Sequence, residues 1–229
     1  SGGLLPGNNT VCFSHDQGWT WSIPQAIQTG YPEVLEVSGP CIETTSGDLL
    51  AMGCPMPRWD GSNPSGKIGV LLRSQDKGIT WDCTTKYFNS RVHAINPWEA
   101  RLCEMQPGRI VVIVWAYDSS ANKHLANHIV VSHDNGETWS KPITTGVMGQ
   151  ASNLLWLGGN RLLTIHAHRS GAVGLYIRLV DFEDDQWTVI AEKIIWGSEV
   201  SAMDTSKGII DQFANLQFGQ PSLLRLSNG

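Results

Sequence analysis

The sequence predicts an all-β chain of repeated four-stranded antiparallel blades, the propeller architecture, on three observations. A motif of the form S-x-D-x-G-x-T-W occurs three times: SHDQGWTW from Ser14 to Trp21, SQDKGITW from Ser74 to Trp81 and SHDNGETW from Ser132 to Trp139. Its aspartates, Asp16, Asp76 and Asp134, lie 60 and 58 residues apart, a spacing slightly longer than the usual blade but on the scale of stacked repeat units. Charged residues make up only 16% of the chain while Gly (24), Pro (11) and Trp (10) are plentiful, which suits short strands and tight turns better than long surface helices.

Each motif reads as a hairpin turn. The aspartate is expected to accept backbone N–H bonds across the turn, the glycine to take the positive-φ position and the tryptophan to pack between neighbouring sheets. A carboxylate so engaged is a turn staple rather than a catalytic acid. A fourth, decayed copy ends at Trp187 in VDFEDDQW, with the serine and glycine lost. Ahead of the turns lies a second recurrent shape in GPCIETTSGDLLAMGC from Gly39, WEARLCEMQPGRIVVIVW from Trp98, GQASNLLWLGGNRLLTIHAHR from Gly149 and FGQPSLLRLSNG from Phe218. In each, a short strand meets a turn, around Gly47, Gly108, Asn160 or Gly229, as in a meander. Strands such as Lys67 to Ser74 and His128 to Ser132 then run into the motif, so the unit is a four-stranded antiparallel blade.

About four such blades are expected in residues 1–229, as a single domain or a large part of one. The chain opens in the late strands of one unit and stops after the first strand of another. Either the two ends share one blade or the chain is part of a larger propeller, and the second reading is preferred. Ser198 to Gln217 lacks strand alternation and is expected to be a long connection on one face.

The net charge of −5 and pI near 5.8 offer no basic field for a phosphate backbone, so nucleic acid is not an expected partner. No run approaches the roughly 18 apolar residues of a membrane span, and no membrane partner is expected. The cysteines, Cys12, Cys41, Cys54, Cys83 and Cys103, are odd in number and lack paired CxxC spacing, which favours buried strand thiols. His124/His128 and His166/His168 have suggestive spacings but no carboxylate-rich ligand set beside them, so neither a metal nor another cofactor is expected.

The three motifs, with the E-A-R-L start at Glu99 and the GQ…NRLL…HR stretch from Gly149, resemble the aspartate boxes and blade starts of the sialidase (neuraminidase) superfamily. That resemblance covers most of the chain. It implies a six-bladed propeller in which an arginine triad grips the substrate carboxylate, a tyrosine paired with a glutamate is the nucleophile and an aspartate is the acid/base. It also favours a secreted or periplasmic location. Carried over by order along the chain, Glu99 falls where the glutamate that activates the tyrosine is placed, and Arg169, after His168, falls where a triad arginine is placed. Trp115 stands where another triad arginine would be, and Gly219, Gln220 and Pro221 stand where the tyrosine would be. Arg58 and Asp60, in the loop PRWDGSNPSG, either stand in for the first arginine and the acid/base aspartate that the resemblance implies or belong to an ordinary solvated loop.

The residues themselves leave both functional and structural duties open. Glu99 beside Trp98 suits sugar binding, with an acid for hydroxyls and a ring for C–H faces, or else it pairs with Arg101. Arg169 clamps a substrate carboxylate or forms an inter-blade ion pair. Trp98 and Trp115 are expected to wall a pocket on the propeller axis, and His168, beside Arg169, to contribute to binding the substrate there. Gln150 and Gln220, in the matching contexts GQAS and GQPS, recognise hydroxyl groups or close backbone turns. The leading expectation is a sialidase-like, exo-acting glycoside hydrolase acting on a terminal, possibly anionic sugar. The alternatives are a non-catalytic carbohydrate- or protein-binding propeller and an exo-glycosidase on plant or algal polysaccharide.

Overall fold

The computed structural model describes residues 3–90, 94–197 and 219–226, together with Ser206, Gly208 and Asp211. The connection expected over Ser198 to Gln217 falls, apart from those three positions, outside the described residues, as do Phe218 and the turn expected at Gly229. Among the described residues no helix is long and apolar enough to cross a membrane.

Sixteen strands in the described residues assort into sheets in chain order. Strands β1 (Thr10–Val11) and β2 (Gln25–Ala26) pair across the first motif. Strands β3 (Leu35–Glu36) and β4 (Ile42–Glu43) both pair with β5 (Leu49–Pro55), which continues through β6 (Ile68–Ser74) to β7 (Lys86–Asn89). Next come β8 (Ile95–Gln106), β9 (Arg109–Asp118), the two-residue β10 (Lys123–His124), β11 (Ala126–Ser132) and β12 (Ile143–Met148). Last is the meander β13 (Ser152–Gly158), β14 (Arg161–His168), β15 (Gly174–Glu183) and β16 (Gln186–Trp196). Each sheet is antiparallel; the S-x-D-x-G-x-T-W turn joins β1 to β2, β6 to β7 and β11 to β12, and the decayed copy joins β15 to β16. The sheets are numbered here as blades one to four.

The core lies between blades. In β9, Ile110, Val112, Val114 and Ala116 face Leu50, Met52 and Leu71 of blade two. The intervening Val111 and Ile113 face Leu154, Leu162 and Val180 of blade four. A strand covered on both faces is apolar at successive positions, which is why RIVVIVWAY reads as a continuous run instead of an alternation.

The three turns share one geometry. In the second, Thr80 donates its N–H to Asp76 Oδ1 at 2.8 Å and its hydroxyl to Oδ2 at 2.6 Å, while Ser74 Oγ donates to Oδ1 at 2.8 Å. The Trp81 indole then donates to the Gly78 carbonyl at 3.0 Å. Asp16 and Asp134 accept the same bonds from Thr20 and Thr138. The glycines have φ of 84–90°, and the residue before each, Gln17, Lys77 or Asn135, is also left-handed. Trp139 meets Tyr87 of the preceding blade edge-on at 6.1 Å, as expected, and Trp81 packs against the core of its own blade. Trp21 departs from that expectation and is 63% exposed, because no described blade precedes it.

The decayed copy works differently. Asp184 and Asp185 keep the two left-handed positions without glycine. Asp185 turns its carboxylate outward, to Arg109 at 3.1 Å and His133 at 2.9 Å, so an inter-blade contact replaces the staple.

Loss of a staple gives a pH-dependent prediction. The Thr80 hydroxyl, followed by the Thr80 N–H, holds the Asp76 carboxyl down to about 2. A carboxylate depressed by folding contributes stability above its unfolded value of 3.8, and that contribution is lost as pH falls toward 2. Asp76→Ala is therefore expected to lower the urea midpoint at pH 7 and to approach the wild type as pH drops from 4 to 2. A constant gap across that range would contradict the assignment.

Candidate functional site

Opposite the stapled turns, at the ends where the first strand of each blade begins, four segments of the chain bring charged side chains together. Glu99 lies in β8 at a bulge between Trp98 and Arg101, with φ of 49°. A non-glycine residue in the left-handed region is strained, and a bulge re-aims its side chain. Blade two supplies Glu36, whose Oε2 accepts the Glu99 N–H at 3.3 Å and the Cys54 thiol at 3.4 Å. Blade four supplies Arg169, whose Nη1 is 4.0 Å from Glu99 Oε2. The segment after it supplies Gly219, whose carbonyl accepts from Arg169 Nη2 at 3.1 Å, and Gln220, which hydrogen-bonds Glu99.

The electrostatics are unbalanced in a specific way. Burial pushes the Glu99 carboxyl above the ordinary carboxylate range, against the lowering pull of Arg169 and of the Gln220 hydrogen bond. Among the described residues, Glu99 Oε2 is buried with no hydrogen-bond partner, and so are Arg169 Nε and Nη1. Arg169 is 3% exposed, its guanidinium 5.6 Å from the Trp115 ring centre. An acid and a cation thus face one another with hydrogen-bonding capacity unspent in a buried setting, where such capacity is costly.

The other expected site residues divide. Gln150 accepts the Arg169 N–H at 2.8 Å, and Gln220 accepts from Arg101 Nη2, so both amides position arginines and backbone in place of standing free for hydroxyls. Arg101 donates to Ser38 Oγ and to the carbonyls of Glu99 and Ala100, not to the Glu99 carboxylate; the carboxylate's ion pair is with Arg169. Trp115 does not wall an open pocket: it is 1% exposed and donates its indole N–H to His124 Nδ1 at 3.0 Å. Its duty here is to support Arg169 from below. Trp98 stacks on Tyr117 at 4.7 Å and meets Trp115 edge-on at 5.3 Å.

His168 points away from Arg169, as alternation along β14 requires. It contacts Arg178 Nη2 at 3.1 Å and the Tyr176 ring, and burial, then Arg178, brings its imidazole down to about 4. His166 is bound by Ser152, Asn127 and Thr164. Among the described residues no group of three or more His, Cys, Asp or Glu is arranged to hold a metal ion. The five cysteines are free, with Cys54 and Cys83 buried and Cys41 exposed.

Arg58 and Asp60 do not stand in at this cluster. They border a separate 500 Å³ cavity, and Asp60 Oδ1 accepts from the Ser62 N–H and hydroxyl at 2.9 and 2.6 Å. A larger cavity of 960 Å³ lies between β7 and the third stapled turn, beside Trp139 and Lys141. Glu36 is the functional candidate that sequence reading missed. It sits in a two-residue strand before the GPCIETT stretch, and the only available signal was its place two residues ahead of the Ser38-Gly39 break, equivalent to a blade start.

No protein-family model matches the sequence, and a search of curated proteins finds no match. Among solved structures the chain is similar to a protein of unknown function from Dyadobacter fermentans, with a TM-score of 0.65 and 20% identity over 84% of this chain and 53% of that one. It is also similar to a variant of the NanB sialidase of Streptococcus pneumoniae, with a TM-score of 0.58 and 18% identity over 81% of this chain and 28% of that one. An α-L-arabinofuranosidase from Fusarium graminearum aligns with a TM-score of 0.50 and 16% identity over 72% and 50% of the two chains. The chain thus spans about half, or less, of the length of these structures. At such identities the likeness concerns the backbone alone: this chain has the sialidase-like β-propeller fold, built of four-stranded antiparallel blades.

Proposed function

We propose that the Glu99–Arg169 cluster binds the terminal sugar of a glycan and hydrolyses its glycosidic bond, as part of one propeller domain to which residues 1–229 belong. The observation that carries this reading is the buried, unsatisfied pairing of Glu99 Oε2 with Arg169 Nε and Nη1 at a strained bulge. Core residues such as Tyr87 and Trp187 also leave one buried polar atom unpaired among the described residues, but here the unpaired atoms belong to an acid and a cation that face each other at a bulge. In this reading Arg169 anchors a carboxylate or hydroxyl-rich group through its planar fork. Glu99, whose carboxyl is raised by burial, is protonated more readily than an exposed acid and donates its proton to the leaving-group oxygen as the C–O bond breaks. Glu36 supplies the second carboxylate, which takes the proton of the attacking water. The resemblance of the three stapled turns to aspartate boxes supports the same reading, as does the glycosidase fold.

A panel of chromogenic glycosides including an α-sialoside and an α-L-arabinofuranoside tests it. One substrate is expected to be cleaved, with kcat lowered roughly 10²-fold or more in Glu99→Gln. Full activity in Glu99→Gln would remove Glu99 from the chemistry. A second reading, a carbohydrate-binding propeller without catalysis, is favoured by the burial of Arg169 and Trp115 and by the placing of the 960 and 500 Å³ cavities away from Glu99. Sugar binding with no turnover on any glycoside would select it.

A further inference from the structure

The blade-two ladder runs from the charged cluster to the 500 Å³ cavity beside Arg58. Glu36 pairs with Cys54 and Leu35 with Pro55, and the ladder runs one rung further, where Met56 donates its N–H to the Val34 carbonyl at 3.0 Å. Residues two apart on a strand share a face, so Val34 and Met56 continue the face of Glu36 and Cys54, about 7 Å further along. They form the floor of the 500 Å³ cavity together with Pro6, Pro32 and Pro57, and Trp59 stands at its rim, 58% exposed.

The loop that presents Trp59 is held on several sides. Arg58 donates from Nε and Nη2 to the Pro32 carbonyl at 3.4 Å, and Leu4 donates its N–H to the Pro57 carbonyl at 2.8 Å. Both neighbouring acids are engaged: Asp60 by Ser62, and Glu33 by the Ser65 N–H at 2.9 Å and hydroxyl at 2.6 Å. What the cavity presents is therefore an indole face, apolar lining, the remaining Arg58 donors and Asp60 Oδ2, since both Ser62 bonds fall on Oδ1. An aromatic face beside a cation and a carboxylate oxygen suits the C–H face and hydroxyls of a sugar ring. A loop already fixed by its own bonds loses little entropy on binding.

We infer that this cavity is a subsite for the second sugar residue of an oligosaccharide whose terminal residue lies at Glu99 and Arg169. The inference rests on the glycan reading above. It is tested by calorimetric titration of the Glu99→Gln protein, which prevents turnover, with N-acetylneuraminic acid against 3′-sialyllactose and with arabinose against arabinotriose. For one pair, the trisaccharide is expected to bind about tenfold more tightly than its monosaccharide, in line with one added ring contact. Trp59→Ala in the same background is expected to erase that gain, and Trp59→Phe to restore most of it. A gain that survives Trp59→Ala, or monosaccharide binding without any gain, overturns the subsite and leaves the axial reading standing. Absence of binding by all four sugars overturns the axial reading, and the subsite with it.

Discussion

Gly69→Ala is expected to destabilise the protein by about 3 kcal/mol, at the upper end of the range for overpacking a closed core. Gly69 lies in β6, and a Cβ there would meet the Tyr87 ring at 2.3 Å to Cζ and 2.6 Å to both Cε atoms. The ring cannot yield. Tyr87 is 1% exposed, sits in the core shared by blades two and three and is met edge-on by Trp139 at 6.1 Å. For a chain of this size the melting temperature should fall by roughly 6–12 °C. The double substitution Gly69→Ala, Tyr87→Val should lose less stability than the sum of the two single substitutions, because removing the ring also removes the atoms that clash. A single variant that melts with the wild type would show that the β6–β7 packing differs from that described.

The second large effect concerns Arg169→Met, which keeps much of the side-chain volume and removes the charge. Arg169 is the leading influence holding the Glu99 carboxyl down against burial, so its loss sends that carboxyl higher still. The sign follows from linkage. A carboxyl raised by folding costs stability while it is ionised, and the cost fades as pH falls through its folded value. Removing one partner of a buried pair costs about 3–5 kcal/mol in general. With the partners at 4.0 Å and the Glu99 side chain 17% exposed, about 2 kcal/mol is expected at pH 7. Denaturant midpoints measured from pH 8 to pH 4 should show the variant far below the wild type at the alkaline end and converging toward it at the acidic end. Glu99→Gln, Arg169→Met should be more stable at pH 7 than Arg169→Met alone. A deficit that does not change with pH would mean that Glu99 is already neutral, or that Arg169 acts through packing on Trp115 alone.

These two predictions draw on different kinds of information. The hairpin role of Ser74, Asp76, Gly78, Thr80 and Trp81 was legible in the sequence because each of its bonds closes within four residues. The blade could be read from the same repeats, since a strand paired to its sequence neighbour needs only alternation and a turn. Glu99 and Arg169 could be singled out as candidates by their place at blade starts. The inward-facing glutamate of blade two could not, because β3 is two residues long and leaves no periodic signal. Nor could the reach of Asp185 to Arg109 and His133, 76 and 52 residues away in the chain.

What the sequence by itself determined is thus the local and the repetitive: the stapled turns, the four-stranded unit and its order. Those features depend on short-range hydrogen bonds and on strand periodicity, which are written in consecutive residues. The tertiary structure alone decided which side chains share a site. It placed Trp115 beneath Arg169 instead of beside a substrate, drew Gln150 and Gln220 into holding arginines and set Arg58 and Asp60 at a cavity of their own. It also turned Glu99 toward Arg169 through a bulge. These outcomes depend on how one blade is rotated against the next and on where a strand slips by a residue, and a slip of that kind changes which face a side chain occupies without altering the pattern that predicts the strand.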